Sequence, residues 1–247
     1  MTSNFLKLIA CLTMLCDHIG YQMQSYGVGD GKTAALLRVV GRISFPIFAF
    51  LIVEGFKHSK NLTKYLLRLF TAGLISEIPY NLCFRKSLIF SNSLNVMFSF
   101  FIALVALILA DMCIKASQKE VRFLFVLPIF FACYLANILG TDYTYWGVLL
   151  VFLFYLSDSD SEIKKKLSAL PVLLLFAARN VIVDFLEGQV VSSWDKIQLF
   201  ALLSCIPILF YNGRSGNGRL RFVKKYFFYL FYPVHLLVLH LVFSNIR

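Results

Sequence analysis

Nine apolar runs follow one another along this 247-residue chain, and they leave little room for any fold but one. They lie at residues 4–25, 35–56, 62–81, 93–114, 121–139, 143–157, 168–187, 196–212 and 222–244. A helix crossing a bilayer needs about 20 mostly apolar residues, because each residue rises ~1.5 Å and the hydrocarbon core is ~30 Å thick. The sixth run is short and the eighth and ninth have soft edges, so about nine transmembrane helices are expected, within a range of eight to ten. The runs do not alternate polar and apolar residues as barrel strands would. The expected fold class is all-α, a polytopic helical membrane protein.

Composition closes off the soluble alternatives. Apolar residues make up 59% of the chain and charged residues 15%, against roughly 25% in an average soluble domain. A mean hydropathy of +0.76 belongs to a chain that could not hide its apolar surface in water. Disorder, a disulfide scaffold and a water-soluble enzyme are excluded. The six cysteines are scattered through apolar runs with no Cys-x-x-Cys or Cys/His ligand spacing, so they read as small buried hydrophobes and no metal is expected. The first run is interrupted by Asp17 and His18 and lacks a small-residue cleavage site, so it is expected to stay as the first span. The candidate hinges at 26–32, 157–166 and 211–219 are short, and residues 1–247 are read as a single integral-membrane domain.

The net charge of +11 would point to nucleic acid in a soluble protein. Here it points to membrane lipids, because cytoplasmic loops carry excess Lys and Arg and face anionic headgroups; no nucleic-acid partner is expected. One set of loops (57–64, 115–122, 157–166 and 213–225) holds fourteen basic residues, the last ending with Arg214, Arg219, Arg221, Lys224 and Lys225. The opposite set holds five: Lys32, Arg85, Lys86, Lys196 and Arg247. The asymmetry predicts a protein of the cytoplasmic membrane with its N-terminus inside.

Ionisable groups are costly inside a bilayer, and each is a functional candidate. With that topology they gather at one depth, in the outer half. Asp17 and His18 lie on span 1, Arg38 and Arg42 on span 2, and Glu77 and Asn81 at the end of span 3. Asn95 opens span 4, Asp142 and Tyr143 precede span 6, Arg179, Asn180, Asp184 and Glu187 lie on span 7, and His235 on span 9. The pattern predicts a polar cavity toward the outer face. Bland readings stand beside it: Arg38, Asp142 and Glu187 as interfacial residues snorkelling to water, Arg179 and Asp184 as an ion pair within one helix, and His240 as an interfacial histidine. Asp17, His18 and Arg42 lie deeper and carry opposite charges at matching depth.

Two local patterns add detail. Lys7 and His18 are eleven residues apart, which returns them to nearly the same helical face with a rise of ~16 Å; Cys11 and Met14 lie between them. Pro46 should kink the second span just below Arg42. Past that span, Lys57, His58, Lys60, Lys64 and Arg68 form a basic mouth that suits phosphate groups or anionic lipid.

The runs LKLIACLTMLCDHIG, GRISFPIFAFLIVEGFKHSKNLTKYLLRLF, LISEIPYNL, NVMFSF, DYTYWGVLL and FYPVHLLVL together resemble the TraX family, whose name-giving member is the F-pilin acetylase of conjugative plasmids. The resemblance covers nearly the whole chain in order and spacing. TraX proteins look related to the wider class of transmembrane acyltransferases, including the acyltransferase-3 family, which carries an arginine, ten residues and a histidine in span 1. Lys7 and His18 stand at that spacing, with lysine keeping the charge but not the planar fork.

The resemblance implies transfer of an acetyl or other acyl group from cytoplasmic acetyl-CoA, the donor, to an amine or hydroxyl at the outer face. The acceptor is left open among a pilin N-terminus, a glycan, a peptide and a small molecule. His18 would serve as general base or brief acyl carrier, with Asp17 pairing with Arg42. Lys7, Lys57, His58, Lys64 and Arg68 would hold the phosphates of the donor. Glu77, Asn81, Asn95, Asp142, Tyr143 and His235 would line the acceptor side, with His235 and Glu77 as further partners of His18. Two rival functions fit the same residues: a membrane transporter or channel, and a non-catalytic partner in pilus or envelope assembly.

Overall fold

The computed structural model describes residues 1–87, 93–158, 162–214 and 221–246, with the side chains of 162–167, 193–194 and 221–225 left out of the description. The side chains of Lys164, Lys165, Lys166, Arg219, Arg221, Lys224, Lys225 and Arg247, all part of the charge asymmetry, therefore lie outside the described residues. The described residues are helical, with no strand among them. The helices are α1 Ser3–Tyr26, α2 Gly31–Gly41, α3 Ser44–His58, α4 Leu62–Arg85, α5 Val96–Ile114, α6 Lys119–Phe123, α7 Val126–Ile138, α8 Thr144–Leu156, α9 Glu162–Leu186, α10 Ser193–Gln198, α11 Cys205–Leu209 and α12 Arg221–Ser244. A 3-10 turn at Leu199–Ser204 joins α10 to α11.

Helix starts are marked by short polar side chains that take the first orphaned amides. Thr2 accepts from the Phe5 amide, Asp30 from Lys32 and Thr33, Asn61 from Lys64, and Asn95 from Met97. α1 ends on Gly27 at φ 65°, and the Val28 amide returns to the Met23 carbonyl at 2.9 Å. Only a residue free to enter the left-handed region closes a helix in this way at no steric cost.

Among the described residues, five stretches are long and apolar enough to cross a membrane: Gly31–His58, Val96–Ile114, Lys119–Ile138, Ser168–Leu186 and Tyr226–Ser244. Thr144–Leu156 is apolar but shorter. Large side chains such as Phe123, Phe130, Phe131 and Phe185 stand more than 60% exposed, a surface that water would not tolerate and lipid does.

Three of the expected spans are broken, and one rule accounts for all three. The second run divides at Arg42–Ile43 into α2 and α3, the fifth at Leu124–Phe125 into α6 and α7, and the eighth into α10, the 3-10 turn and α11. Each following α-helix carries proline at its third residue: Pro46, Pro128 and Pro207. Proline cannot donate to the carbonyl four residues back, and its ring crowds that carbonyl. The α-helical ladder therefore fails near Arg42, Leu124 and Leu203, where i→i−3 bonds tighten the chain, as from Arg42 to Val39 and Ile43 to Val40. The expected bend below Arg42 is thus a break at Arg42 itself. Pro79, Pro171 and Pro233 lie inside continuous helices.

The chain divides into two compact units, one of Met1–Leu51 with Ser157–Arg247, the other of Ile52–Leu156. In the first, α1 and α2 form an antiparallel hairpin pulled close by glycine: a Cβ on Gly20 would lie 2.7 Å from the Ala34 carbonyl oxygen, and one on Gly41 would overlap Asp17. α12 runs parallel to α1, as three contacts along its length show: Lys7 with Phe228, His18 with His235, and Tyr26 with Phe243. The N-terminus is tied to the segment after α11, with the Met1 ammonium donating to the Phe210 carbonyl at 2.7 Å and the Asn212 amide to Met1 at 3.0 Å. In the second unit α4 packs on α5, and α5 on α7 and α8.

Candidate functional site

The first unit holds a charged triad. Asp17, buried on α1, gives one carboxylate oxygen to Arg38 at 2.7 Å and the other to Arg42. Arg38 and Arg42 are one turn apart on the last turn of α2 and at the break beyond it, so both reach the same face of α1. The close approach permitted by Gly41 brings Asp17 within their reach. Arg42 also turns its Nε to the Arg38 carbonyl at 3.4 Å, and Arg38 lies 5.4 Å from the centre of the Tyr21 ring. Two guanidinium groups on one carboxylate leave a formal charge of +1. Arg38 is therefore an ion-pair partner and not the snorkelling interfacial residue that its position predicted.

Beside the triad, Nδ1 of His18 lies 2.8 Å from Nε2 of His235 on α12. The two ring planes are within 8°, and the Phe231 ring stacks with His235 with centroids 4.8 Å apart. His235 is 6% exposed. Its Nδ1 lies 2.7 Å from the Phe231 carbonyl oxygen, which can only accept. Lower on the same two helices, the Lys7 ammonium sits 5.4 Å from the centre of the Phe228 ring. Lys7 and His18 thus share the α1 face turned to α12, as their eleven-residue spacing predicts, with Cys11 and Met14 buried.

At the end of α9, Asn180 donates to Asp195 at 2.8 Å and the Ser192 hydroxyl donates to the other carboxylate oxygen. These bonds hold the Asp195 carboxyl below the usual carboxylate range, the Ser192 contact being the largest cause.

The second unit carries its own polar set. Glu77, 1% exposed on α4, accepts from the Asn95 amide at 3.3 Å, from Asn95 Nδ2 at 2.6 Å and from Asn81 Nδ2 at 3.5 Å. Asn95 Nδ2 also donates to the Gly73 carbonyl at 2.8 Å, while its Oδ1 caps α5. Glu77, Asn81 and Asn95 thus join α4 to α5. The main chain of Asp142 donates to Leu94 at 3.1 Å and accepts from the Ser99 hydroxyl, and Tyr143 takes φ 61° where the chain enters α8. At the end of α3, His58 Nε2 lies 3.6 Å from the buried Glu54. Lys57 turns its Nζ out of solvent, Arg68 stacks 5.6 Å from the centre of the Tyr65 ring, and Lys64 is exposed. No three His, Cys, Asp or Glu side chains converge as a metal ion requires among the described residues.

A family profile described as "TraX protein" matches residues 2–243. The chain belongs to the TraX family. It is also similar to a protein of Dichelobacter nodosus named "Probable fimbrial assembly protein FimC, serogroup H1", at 32% identity over 244 residues, covering 95% of this chain and 92% of that one. No solved structure matches it. In this TraX protein, Asp17, His18, Arg42 and His235 gather in the first unit, with Lys7 lower on α1, while Lys57, His58, Lys64, Arg68, Glu77, Asn81, Asn95, Asp142 and Tyr143 belong to the second. Sequence reasoning weighed Arg38 as an interfacial residue and passed over Phe231. The four-residue spacing of Arg38 and Arg42 carries the signal for the first; a main-chain carbonyl carries none.

Proposed function

We propose that this TraX protein is an integral-membrane acyltransferase that moves an acetyl group from cytoplasmic acetyl-CoA to an amine or hydroxyl at the outer face. The observation that carries this reading is the histidine pair beside a positively charged Asp17–Arg38–Arg42 triad on neighbouring helices. Acyl transfer needs a base for the acceptor and positive charge for the oxygen of the tetrahedral intermediate. His18 takes the proton of the acceptor as its N or O attacks the acetyl carbonyl carbon. The guanidinium groups stabilise the developing oxyanion. The C–S bond then breaks, and the proton passes from His18 to the CoA thiolate. In a covalent variant His18 carries the acetyl group between the two half-reactions. Lys7, one ~16 Å rise below His18, is the donor-phosphate contact of the first unit. Lys57, His58, Lys64 and Arg68 form an anion-binding set of the second, read by the acetyl-CoA KM of their variants.

The topology proposed with this function has nine crossings and a cytoplasmic N-terminus in the cytoplasmic membrane. The parallel course of α1 and α12 supports an odd number of crossings. Release of CoA thiol by the purified, reconstituted protein supplied with acetyl-CoA and an amine acceptor tests the chemistry. Wild type is expected to release thiol and His18→Ala is not; equal rates would reject the assignment. The name of the Dichelobacter nodosus relative favours a second reading, a fimbrial assembly partner without chemistry. On that reading, charge-neutral replacement of Asp17, His18 and Arg42 leaves assembly intact whenever the protein still inserts.

A further inference from the structure

We infer that His235 is a positioning residue that fixes the tautomer of His18, holding a proton on Nδ1 and the lone pair on Nε2. The inference rests on the acyltransferase reading for its consequence, but not for its geometry. The chain of donors starts from a group that has no choice. The Phe231 carbonyl oxygen accepts only, so the His235 Nδ1 that lies 2.7 Å from it carries a hydrogen. In a neutral imidazole the other nitrogen is then the acceptor. That nitrogen, His235 Nε2, lies 2.8 Å from His18 Nδ1, so His18 Nδ1 is the donor. Its own Nε2 is left as the basic nitrogen.

The surroundings make the arrangement rigid. The His235 ring stacks on Phe231 with centroids 4.8 Å apart and planes within 15°, its plane lies within 8° of the His18 ring, and it is 6% exposed. The two backbones are fixed beside each other by the Lys7–Phe228 and Tyr26–Phe243 contacts on either side. Free imidazole in water prefers the hydrogen on Nε2, the form that would put N–H where the base needs a lone pair. His235 thus does for His18 what a carboxylate or carbonyl does elsewhere for a catalytic histidine, orienting the ring and selecting its tautomer. A neutral imidazole suits the task here because the triad beside it already carries excess positive charge.

The test is solid-state NMR of the full-length protein in lipid with 15N-labelled histidine, at a pH where the rings are neutral. The chain has four histidines, so single substitutions assign them. The expected result is a His18 signal with N–H at Nδ1, retained in His235→Gln, whose side-chain oxygen still accepts, and lost in His235→Leu. Acetyl transfer should follow the tautomer: within about tenfold of wild type in His235→Gln, and down roughly 10²–10⁴-fold in kcat with little change in acetyl-CoA KM in His235→Leu. A wild-type spectrum with N–H on Nε2 of His18 overturns the inference, and that spectrum decides even if a variant fails to fold. The Nδ1–H tautomer together with full activity in His18→Ala would instead remove the acyltransferase reading and leave the tautomer assignment standing.

Discussion

Replacing Asp17 with Asn tests the triad at the point where the most charge is at stake. The change keeps the shape of the side chain and removes the one negative charge between Arg38 and Arg42. The three side chains are only 12–19% exposed, so water screens them weakly. Breaking such a pair by removing one partner costs about 3–5 kcal/mol, since the remaining charge stays buried; two guanidinium groups facing each other place this variant toward the upper end. The two contacts share a carboxylate, so their energies do not add. A loss of that size raises the population of the opened α1–α2 hairpin by roughly 10²–10⁴-fold. Cys11 reports it, being 1% exposed on α1 under two turns from Asp17. Pulsed thiol labelling, with the site located by mass spectrometry, should find Cys11 protected in wild type and labelled in Asp17→Asn. In an Arg38→Met/Arg42→Met background, Asp17→Leu should restore protection, because an apolar triad of similar volume carries no unpaired charge. Unchanged Cys11 protection in Asp17→Asn, or the same loss in both backgrounds, would refute the reasoning.

Glu77→Gln sets an amide donor against the donor of either Asn95 or Asn81, and should cost about 1–3 kcal/mol by SDS-titration unfolding. Gly41→Ala puts a methyl group into Asp17 and should cost about 1–3 kcal/mol in the same assay, while Gly31→Ala, with open space around it, should be neutral. Ser192→Ala removes the main contact that lowers the Asp195 pKa, so its titration followed by carboxyl 13C NMR should move up toward the ordinary range. The sign follows from linkage: a depressed carboxyl stabilises the fold above its unfolded pKa, and that contribution fades as pH falls through the folded value.

Helix positions were legible because hydrophobic run length is a local property. The apolar runs coincide with helices, and the Asp17–Arg42 pair followed from depth and opposite charge. The breaks at Arg42, Leu124 and Leu203 were harder to place, because proline acts on a carbonyl four residues upstream and the disturbance appears away from the proline itself. Arg38 was misjudged by weighing it alone at the edge of a run; its spacing from Arg42 places both on one face, and a single aspartate serves two arginines. The resemblance named both His235 and Glu77 as further partners of His18; the choice between them needs α1 and α12 to run side by side, which a sequence separation of 217 does not reveal. Asn95 was legible only as a polar residue opening span 4, since both its cap on α5 and its bonds to Glu77 depend on where the helices start and pack.

The central claim is that His18 carries acetyl transfer, and the fate of a labelled acetyl group tests it most directly. Purified wild-type protein in liposomes, given acetyl-labelled CoA and an amine-bearing acceptor on the opposite face, should place the label on the acceptor, and His18→Ala should leave it on CoA although the protein inserts and folds. Equal acceptor labelling by the two proteins, or none by either across amine and hydroxyl acceptors, would contradict the account.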